Sequence, residues 1–461
     1  MEQMQNEVQS KPMNLSHDIS SRVMPFFYKF WVSSHGNNFF TWIGTTPVVH
    51  VTEPTLVREA SVNYRKYLKV IGNPLRKSLA TGLFFAEGDR WAKHRKIINP
   101  AFHLEKLKHM EPSFYETCSE MMDKWEELMT GENSCEVDVV PYFCSFSADV
   151  ISRTAFGSSF KEGRKIFELQ KEQAEMMDKI DKSLYVPGSR FLPTRNNKRI
   201  KEIAQEVRAI IYSIIDKRVA AMKSGEITSK DDLLGMLLES NNKEIKEGGN
   251  KNFGLSNEDI FEECKLFYFA GQDTTAYALI WTMILLSHHK DWQTRAREEI
   301  LHVFGDKRPD IHGLNQLKIL NMILNEVHRL YPVATTTRRL IHEEVKLGNL
   351  TLPAGTIIQL NNLLFHHDKK TWGEDASEFN PQRFSEGVSK ATKQGQVLYL
   401  PFGTGPRICI GQNFAMLEMK MALAMILQRF SFDLSPSYSH APQTVLSLQP
   451  QLGAHLILHK L

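Results

Sequence analysis

Residues 266–286, LFYFAGQDTTAYALIWTMILL, are the stretch of this 461-residue chain that comes nearest to membrane-spanning length, and Gln272, Asp273, Thr274 and Thr275 sit in its middle. An Asp at the centre of a bilayer helix costs about 2.5–3.5 kcal/mol on insertion scales. The segment is therefore predicted to be a helix buried in protein, interrupted for a functional reason. Apolar residues at spacings of three and four extend it over Asn257 to Ser287. A helix that long and that apolar needs a large body built around it, and a chain with 42% hydrophobic residues can supply one.

The same periodicity predicts helices over Glu116 to Met129, Val150 to Met177 with a break at the glycines, Lys198 to Ser224, Asp291 to Phe304, Asn315 to Tyr331 and Asn413 to Arg429. Strand-like segments are short and lie apart from these, near Thr41 to Val51, Val345 to Leu360 and Val445 to Leu458. The expected fold class is mainly α with small segregated β-sheets (α+β), in a single domain over residues 1–461. Residues 240–255, SNNKEIKEGGNKNFGL, read as a flexible connection between helices, and 385–396, SEGVSKATKQGQ, as a polar stretch leading into VLYLPF.

A net charge of +3 offers no electrostatic footprint for nucleic acid. The five cysteines are odd in number and have no zinc-ligand spacing, which points to a reducing compartment. Two glycosylation sequons, at Asn14 and Asn349, are short enough to be chance matches. The polar N-terminus, MEQMQNEVQSKPMNLSHDISS, is neither a signal peptide nor a transmembrane anchor.

The second constraint is PFGTGPRICIG at 401–411, directly ahead of the predicted helix Asn413 to Arg429. A dinucleotide cradle would need a third small residue where Ile408 stands, and no βαβ pattern follows. A plain glycine turn around a buried cysteine is the ordinary alternative. Against it, Cys409 precedes a helix, where orphan N–H groups and the positive end of the dipole favour a thiolate. Gly403 and Gly405 permit a turn that a side chain would block, Gly411 lets a backbone N–H approach the sulfur, and Phe402 can shield it from water. Arg407 brings a permanent cation into the same pocket, which calls for an anion. One thiolate for iron and one cation for carboxylates suit haem.

FGTGPRICIG resembles the haem-binding signature FxxGxRxCxG of the cytochrome P450 family, at Phe402, Gly405, Arg407, Cys409 and Gly411. Three further segments resemble family elements in the same order along the chain. WAKHRKIINPAF at 91–102 matches WxxxR, which implies that Trp91 and Arg95 donate to a haem propionate. FYFAGQDTTAYAL at 267–279 matches AGxDTT, in which small residues, here Ala270 and Gly271, leave room at the haem face. The same likeness implies that Thr274 orders water and hydrogen bonds and that Asp273 gates protons. ILNEVHRLYP and FNPQRF match the ExxR pair, Glu326 and Arg329, and its partner Arg383. TTTRRL offers Arg338 or Arg339 for the other propionate, and spacing favours Arg339.

The resemblance implies the cytochrome P450 fold, with haem b (iron protoporphyrin IX) between the long central helix and the cysteine loop and Cys409 as the metal ligand. It implies a monooxygenase that inserts one atom of O2 into a lipophilic small molecule, with electrons from NADPH-cytochrome P450 reductase. PGSRFLPTRNNKRIKEI and SKPMNLSHDI resemble the plant clan of secologanin synthase and gibberellin and triterpenoid oxidases, in plant secondary metabolism. Lys93, Lys96, Lys106 and Lys108 could colour the reductase face, while Asn63 to Phe85 and Asp181 to Phe191 would read substrate. Family members of this clan sit on the endoplasmic reticulum membrane, facing the cytosol, through an N-terminal helix and hinge. This chain is expected to begin downstream of both. A haem protein without turnover, or a haem-thiolate isomerase, would use the same cysteine.

Overall fold

The computed structural model describes residues 2–34, 37–70, 74–129, 131–157, 160–181, 188–224, 232–392 and 398–461. The helices that position the site are α1 (Pro54–Val62), α2 (Gly88–Ile98), α3 (Glu111–Leu128), α4 (Val139–Phe156), α5 (Phe160–Asp181), α6 (Arg195–Ser224), α7 (Leu233–Gly248), α8 (Asn257–His288), α9 (Lys290–Phe304), α10 (Lys318–Leu330) and α11 (Gln412–Arg429).

The central helix α8 is the axis of the molecule. Its start is fixed by a reciprocal cap: Asp259 N donates to Ser256 Oγ and Ser256 N donates to the Asp259 carboxylate, both at 3.1 Å. Ile260 to Tyr268 and Thr275 to Ser287 are largely buried, so it is apolar nearly all round and lies inside the protein. It packs along α4, and α10 and α11 close its other sides. Gly271 makes the α4 contact possible, because a Cβ there would come within 2.4 Å of Ile151 Cδ1.

Among the described residues the strands form four separate small sheets. β1 (Phe39–Ile43), β2 (Thr46–His50), β3 (Tyr67–Lys69), β5 (Thr337–Ile341) and β8 (Ile357–Leu360) make the largest, in the order β1-β2-β8-β5-β3. Only the β2–β8 pairing in it is parallel. β4 (Ser134–Asp138), β12 (His455–Lys460) and β9 (Phe430–Leu434) form a three-stranded sheet. The hairpins β6 (Val345–Leu347) with β7 (Leu350–Leu352) and β10 (Pro442–Val445) with β11 (Ser447–Pro450) complete the set. The mainly α reading with segregated sheets matches this architecture.

Residues 240–248 are a correction to the sequence reading: they are the second half of α7, which Gly249 ends at φ +76°. Leu233 to Leu238 bury the first half of α7 all round, and this anchoring carries the polar half that follows. The expected break at the glycines is real, with Gly157 ending α4 in the left-handed region. Residues 71–73, 182–187 and 393–397, inside the two substrate stretches and the polar lead-in, lie outside the described residues. Among the described residues no helix is long and apolar enough to cross a membrane.

Candidate functional site

The cysteine loop is shaped by two glycines. Gly403 and Gly405 have φ of +72° and +71°, the region a side chain disfavours. Gly405 also lies against α1, where an added Cβ would be 2.8 Å from Ser61 O. The turn then closes as Cys409 N donates to Phe402 O at 2.8 Å. Cys118 and Cys264 are buried, whereas Cys409 is the exposed cysteine among the five. Surrounding protein pushes its thiol above the ordinary value, while the Gly411 N–H and Arg95 pull it back towards the thiolate. Gly411 caps α11, so the sulfur stands at the positive end of an 18-residue helix. A Cβ on Gly411 would meet Sγ only at 4.0 Å, an ordinary contact, so crowding does not require glycine there. The Phe402 ring lies 5.1 Å from that of His328.

Beside the loop, cations outnumber anions. The Arg407 guanidinium sits 4.8 Å from the Trp91 ring and 5.6 Å from that of Tyr64. It is ion-paired with Glu87 and donates to Ala86 O at 2.9 Å. Arg339 is buried, and the β3–β5 pairing sets it directly opposite Lys69. Burial, then Arg407, lower Arg339 to about 10. Burial, then Arg339 and Arg407, bring Lys69 down to about 7, against the pull of Glu87. Nε of Arg339 and Nε of Arg407 are both buried without a partner. Among the described residues three basic side chains thus gather around the Glu87 carboxylate, which also accepts from Lys69 N at 2.6 Å. Arg338 alternates to the other face of β5, where its Nε donates to Gln359 Oε1 at 2.9 Å.

Helix α2 bridges this cluster to the loop. Trp91 is buried with its ring 4.4 Å from that of Tyr64, and Arg95 Nη1 donates to Ile408 O at 2.8 Å. The cation stacked on Trp91 is therefore Arg407, while Arg95 serves the backbone next to Cys409.

On α8, Ala270 and Thr274 form an exposed pair four residues apart, with Thr274 Oγ1 donating back to Ala270 O at 2.7 Å. Gly271 does not share that face, since it is turned to Ile151. Asp273 lies within electrostatic reach of Lys171 of α5, Cys144 of α4 and Tyr277. Burial raises its carboxyl to about 6, partly offset by Lys171. Glu326 and Arg329 meet inside the protein on α10, and Arg383 Nε lies 3.4 Å from Glu326 Oε1.

The geometry brings Cys409, Arg407, Arg95 and Trp91 together and sets Arg339 against Arg407. The cluster could hold two carboxylates, and the exposed sulfur at a helix start could ligate a soft metal. Lys69, Glu87 and Tyr64 were missed by the sequence reading. Their signal is three-dimensional: Lys69 enters through β3, and Glu87 sits one residue ahead of α2. Of the four lysines expected on a docking face, Lys96 is paired with Glu244 and Lys108 with Glu105, and Lys93 donates to Asn252 O.

Residues 18–457 match the family described as Cytochrome P450. The chain is 59% identical over 458 residues to cytochrome P450 CYP72A219 of Panax ginseng, covering 99% of this chain and 88% of that protein. It is 53% identical over 459 residues to cytochrome P450 72A15 of Arabidopsis thaliana, with the same coverage of both. To cytochrome P450 72A397 of Kalopanax septemlobus it is 54% identical over 459 residues, 100% of this chain and 88% of the relative.

Proposed function

The chain belongs to the cytochrome P450 family, and from that premise we propose that it oxygenates a lipophilic terpenoid or hormone-like molecule with electrons drawn from NADPH. As a family member it is a haem-thiolate monooxygenase that uses iron protoporphyrin IX, dioxygen, a small-molecule substrate and a redox partner. The partner proposed is NADPH-cytochrome P450 reductase. The place proposed is the cytosolic face of the endoplasmic reticulum membrane. In the balance, the substrate C–H becomes C–OH, the second oxygen atom leaves as water, and NADPH gives up two electrons.

The residues present suit the haem. Arg407, Arg339 and Lys69 around one carboxylate leave an excess of positive charge that propionates would meet, and two orphaned Nε–H groups await acceptors. Cys409 would hold the iron, and Arg407, Arg339 and Lys69 would hold the carboxylates, with Trp91 as a wall. Bound haem supplies the oxygen-activating chemistry. Arg95 keeps Ile408, and with it the sulfur, in register. Phe402 limits water on that side. Thr274 holds a water on the open face of α8, and Asp273, near neutrality in its titration, passes protons inward from the Lys171 side.

A redox partner would dock on the cysteine side, where Phe402, Thr404, Gln412, Asn413 and Asn325 line a surface depression of about 560 Å3. The observation that carries the reading is the exposed Cys409 at the start of α11, beside Arg339 and Arg407, whose buried Nε groups lack acceptors. The test is turnover of a terpenoid and hormone panel, chosen by haem spin-state shift, with labelled dioxygen. Incorporation of one labelled atom that requires both NADPH and reductase supports it. Rearrangement without either, or no turnover of any compound that binds, overturns it.

A further inference from the structure

We propose that His94 is a positioning residue: its bridge to Glu263 sets the distance between the Arg95 charge and the Cys409 sulfur, and so the reduction potential of the haem iron. The proposal rests on the haem-thiolate reading above.

His94 lies one residue before Arg95 on α2 and is 1% exposed, as enclosed as the apolar core. Its Nδ1 donates to Glu263 Oε1 at 2.5 Å, and its Nε2 lies 3.4 Å from Asp259 Oδ1. Both acids belong to the first two turns of α8. Glu263 is itself fully buried, and its Oε2 has no hydrogen-bond partner. The backbone of Gly82 presses on that oxygen so closely that a Cβ would come within 2.9 Å. The nearest lysine in sequence, Lys265, is taken by Glu262 at 2.9 Å. For Glu263, then, the imidazole is the partner within reach. A buried carboxylate with a single partner holds it firmly, because no water competes and losing the bond strands the charge.

This fixes α2 against the start of α8. Arg90 also meets Asp259 of α8 at 2.9 Å, but Arg90 is largely exposed and so weakly held. On the other side Arg95 reaches Ile408 O at 2.8 Å, which sets its charge beside the residue that precedes Cys409. The connection therefore runs α8, Glu263, His94, Arg95, Ile408, Cys409. Charges and hydrogen bonds around a ligating sulfur tune the potential of the metal it holds. A cation that recedes leaves the sulfur more electron-rich and favours the ferric state.

The test is spectroelectrochemical titration of the haem-loaded protein. His94→Ala with Glu263→Ala removes the bridge without stranding a carboxylate. It should lower the ferrous-to-ferric ratio at fixed potential by about tenfold, or ~59 mV for a one-electron couple. His94→Asn, whose amide replaces Nδ1, should return the potential to the wild-type value. In an Arg95→Gln background the double change should have no further effect. A soluble double variant with the wild-type potential overturns the proposal, as does a shift that persists in the Arg95→Gln background. If the wild-type protein shows no thiolate-ligated haem at all, the functional reading fails rather than the role of His94.

Discussion

Glu326 and Arg329, three residues apart on α10, face each other at 2.8 Å with both side chains completely enclosed. Arg329 also donates to His366 O, Ala376 O and Glu378 O at 2.6–3.1 Å, and Asn380 N donates to Glu326 at 2.9 Å. The pair thereby ties α10 to the segment 366–383 that precedes the cysteine loop. Glu326→Ala leaves a buried guanidinium uncompensated and should cost about 3–5 kcal/mol of stability. Denaturant unfolding measures it. A loss under about 1 kcal/mol would mean that the pair is incidental.

Cys409→Ala should fold with unchanged far-ultraviolet circular dichroism and lose the thiolate-type absorption of the ferrous carbon monoxide complex. The thiol lies on a loop held by backbone bonds, such as Cys409 N to Phe402 O, so its removal leaves the turn intact. An unchanged spectrum would refute the assignment of the ligand.

Thr274→Ala should keep haem and substrate binding but release peroxide, so that most NADPH is consumed without product. Thr274→Ser retains the hydroxyl, bonded back to Ala270 O, and should recover most of the coupling. Product and peroxide measured against NADPH decide it. Full coupling in the Ala variant excludes the proton role.

Arg339→Gln should speed haem loss to an acceptor protein by roughly tenfold or more, the worth of one charge-assisted hydrogen bond. Arg338→Gln should change it little, because Gln359 holds Arg338 on the opposite face of β5. Equal rates for the two variants would remove Arg339 from the carboxylate site.

Glu418 on α11 is fully buried, with Ser147 donating to it at 2.8 Å and its second oxygen unpaired. Burial raises its carboxyl to about 8, the Ser147 hydroxyl offsetting only part. The folded state therefore keeps this proton from about pH 4.5 to about pH 8 while the unfolded chain has released it. Stability from this group falls across that window by about 1.4 kcal/mol per pH unit and levels off above it. Glu418→Gln should remove the slope, so its advantage over the wild type grows from pH 5 to pH 8. Parallel pH–stability curves would show that the carboxyl titrates elsewhere.

The elements legible in the sequence were those whose signal is local. The apolar run of α8 and the glycines of the cysteine loop act within a few residues of themselves. β3, β4 and β5 were invisible for the opposite reason. TRRLI carries two adjacent arginines, and its strand character comes from pairing with Tyr67–Lys69 and Ile357–Leu360, far off in sequence. The same holds at the site. Cys409, Arg407 and Thr274 declare themselves through motif spacing, while Lys69 and Glu87 are recruited by a sheet edge and a helix start. His94 stood inside a quoted motif, yet only the arrival of Glu263 from α8 gives it a partner. The polar half of α7 was misread because a helix can be carried by the burial of its other half.

Gly405 rests its α-carbon against the Ser61 carbonyl with no space for a methyl group. The sulfur-bearing turn and α1 are thus in rigid contact, and the chain leaving α1 runs within five residues of its end into β3, which carries Lys69. A change that displaces α1 therefore displaces the turn that carries Cys409 as well.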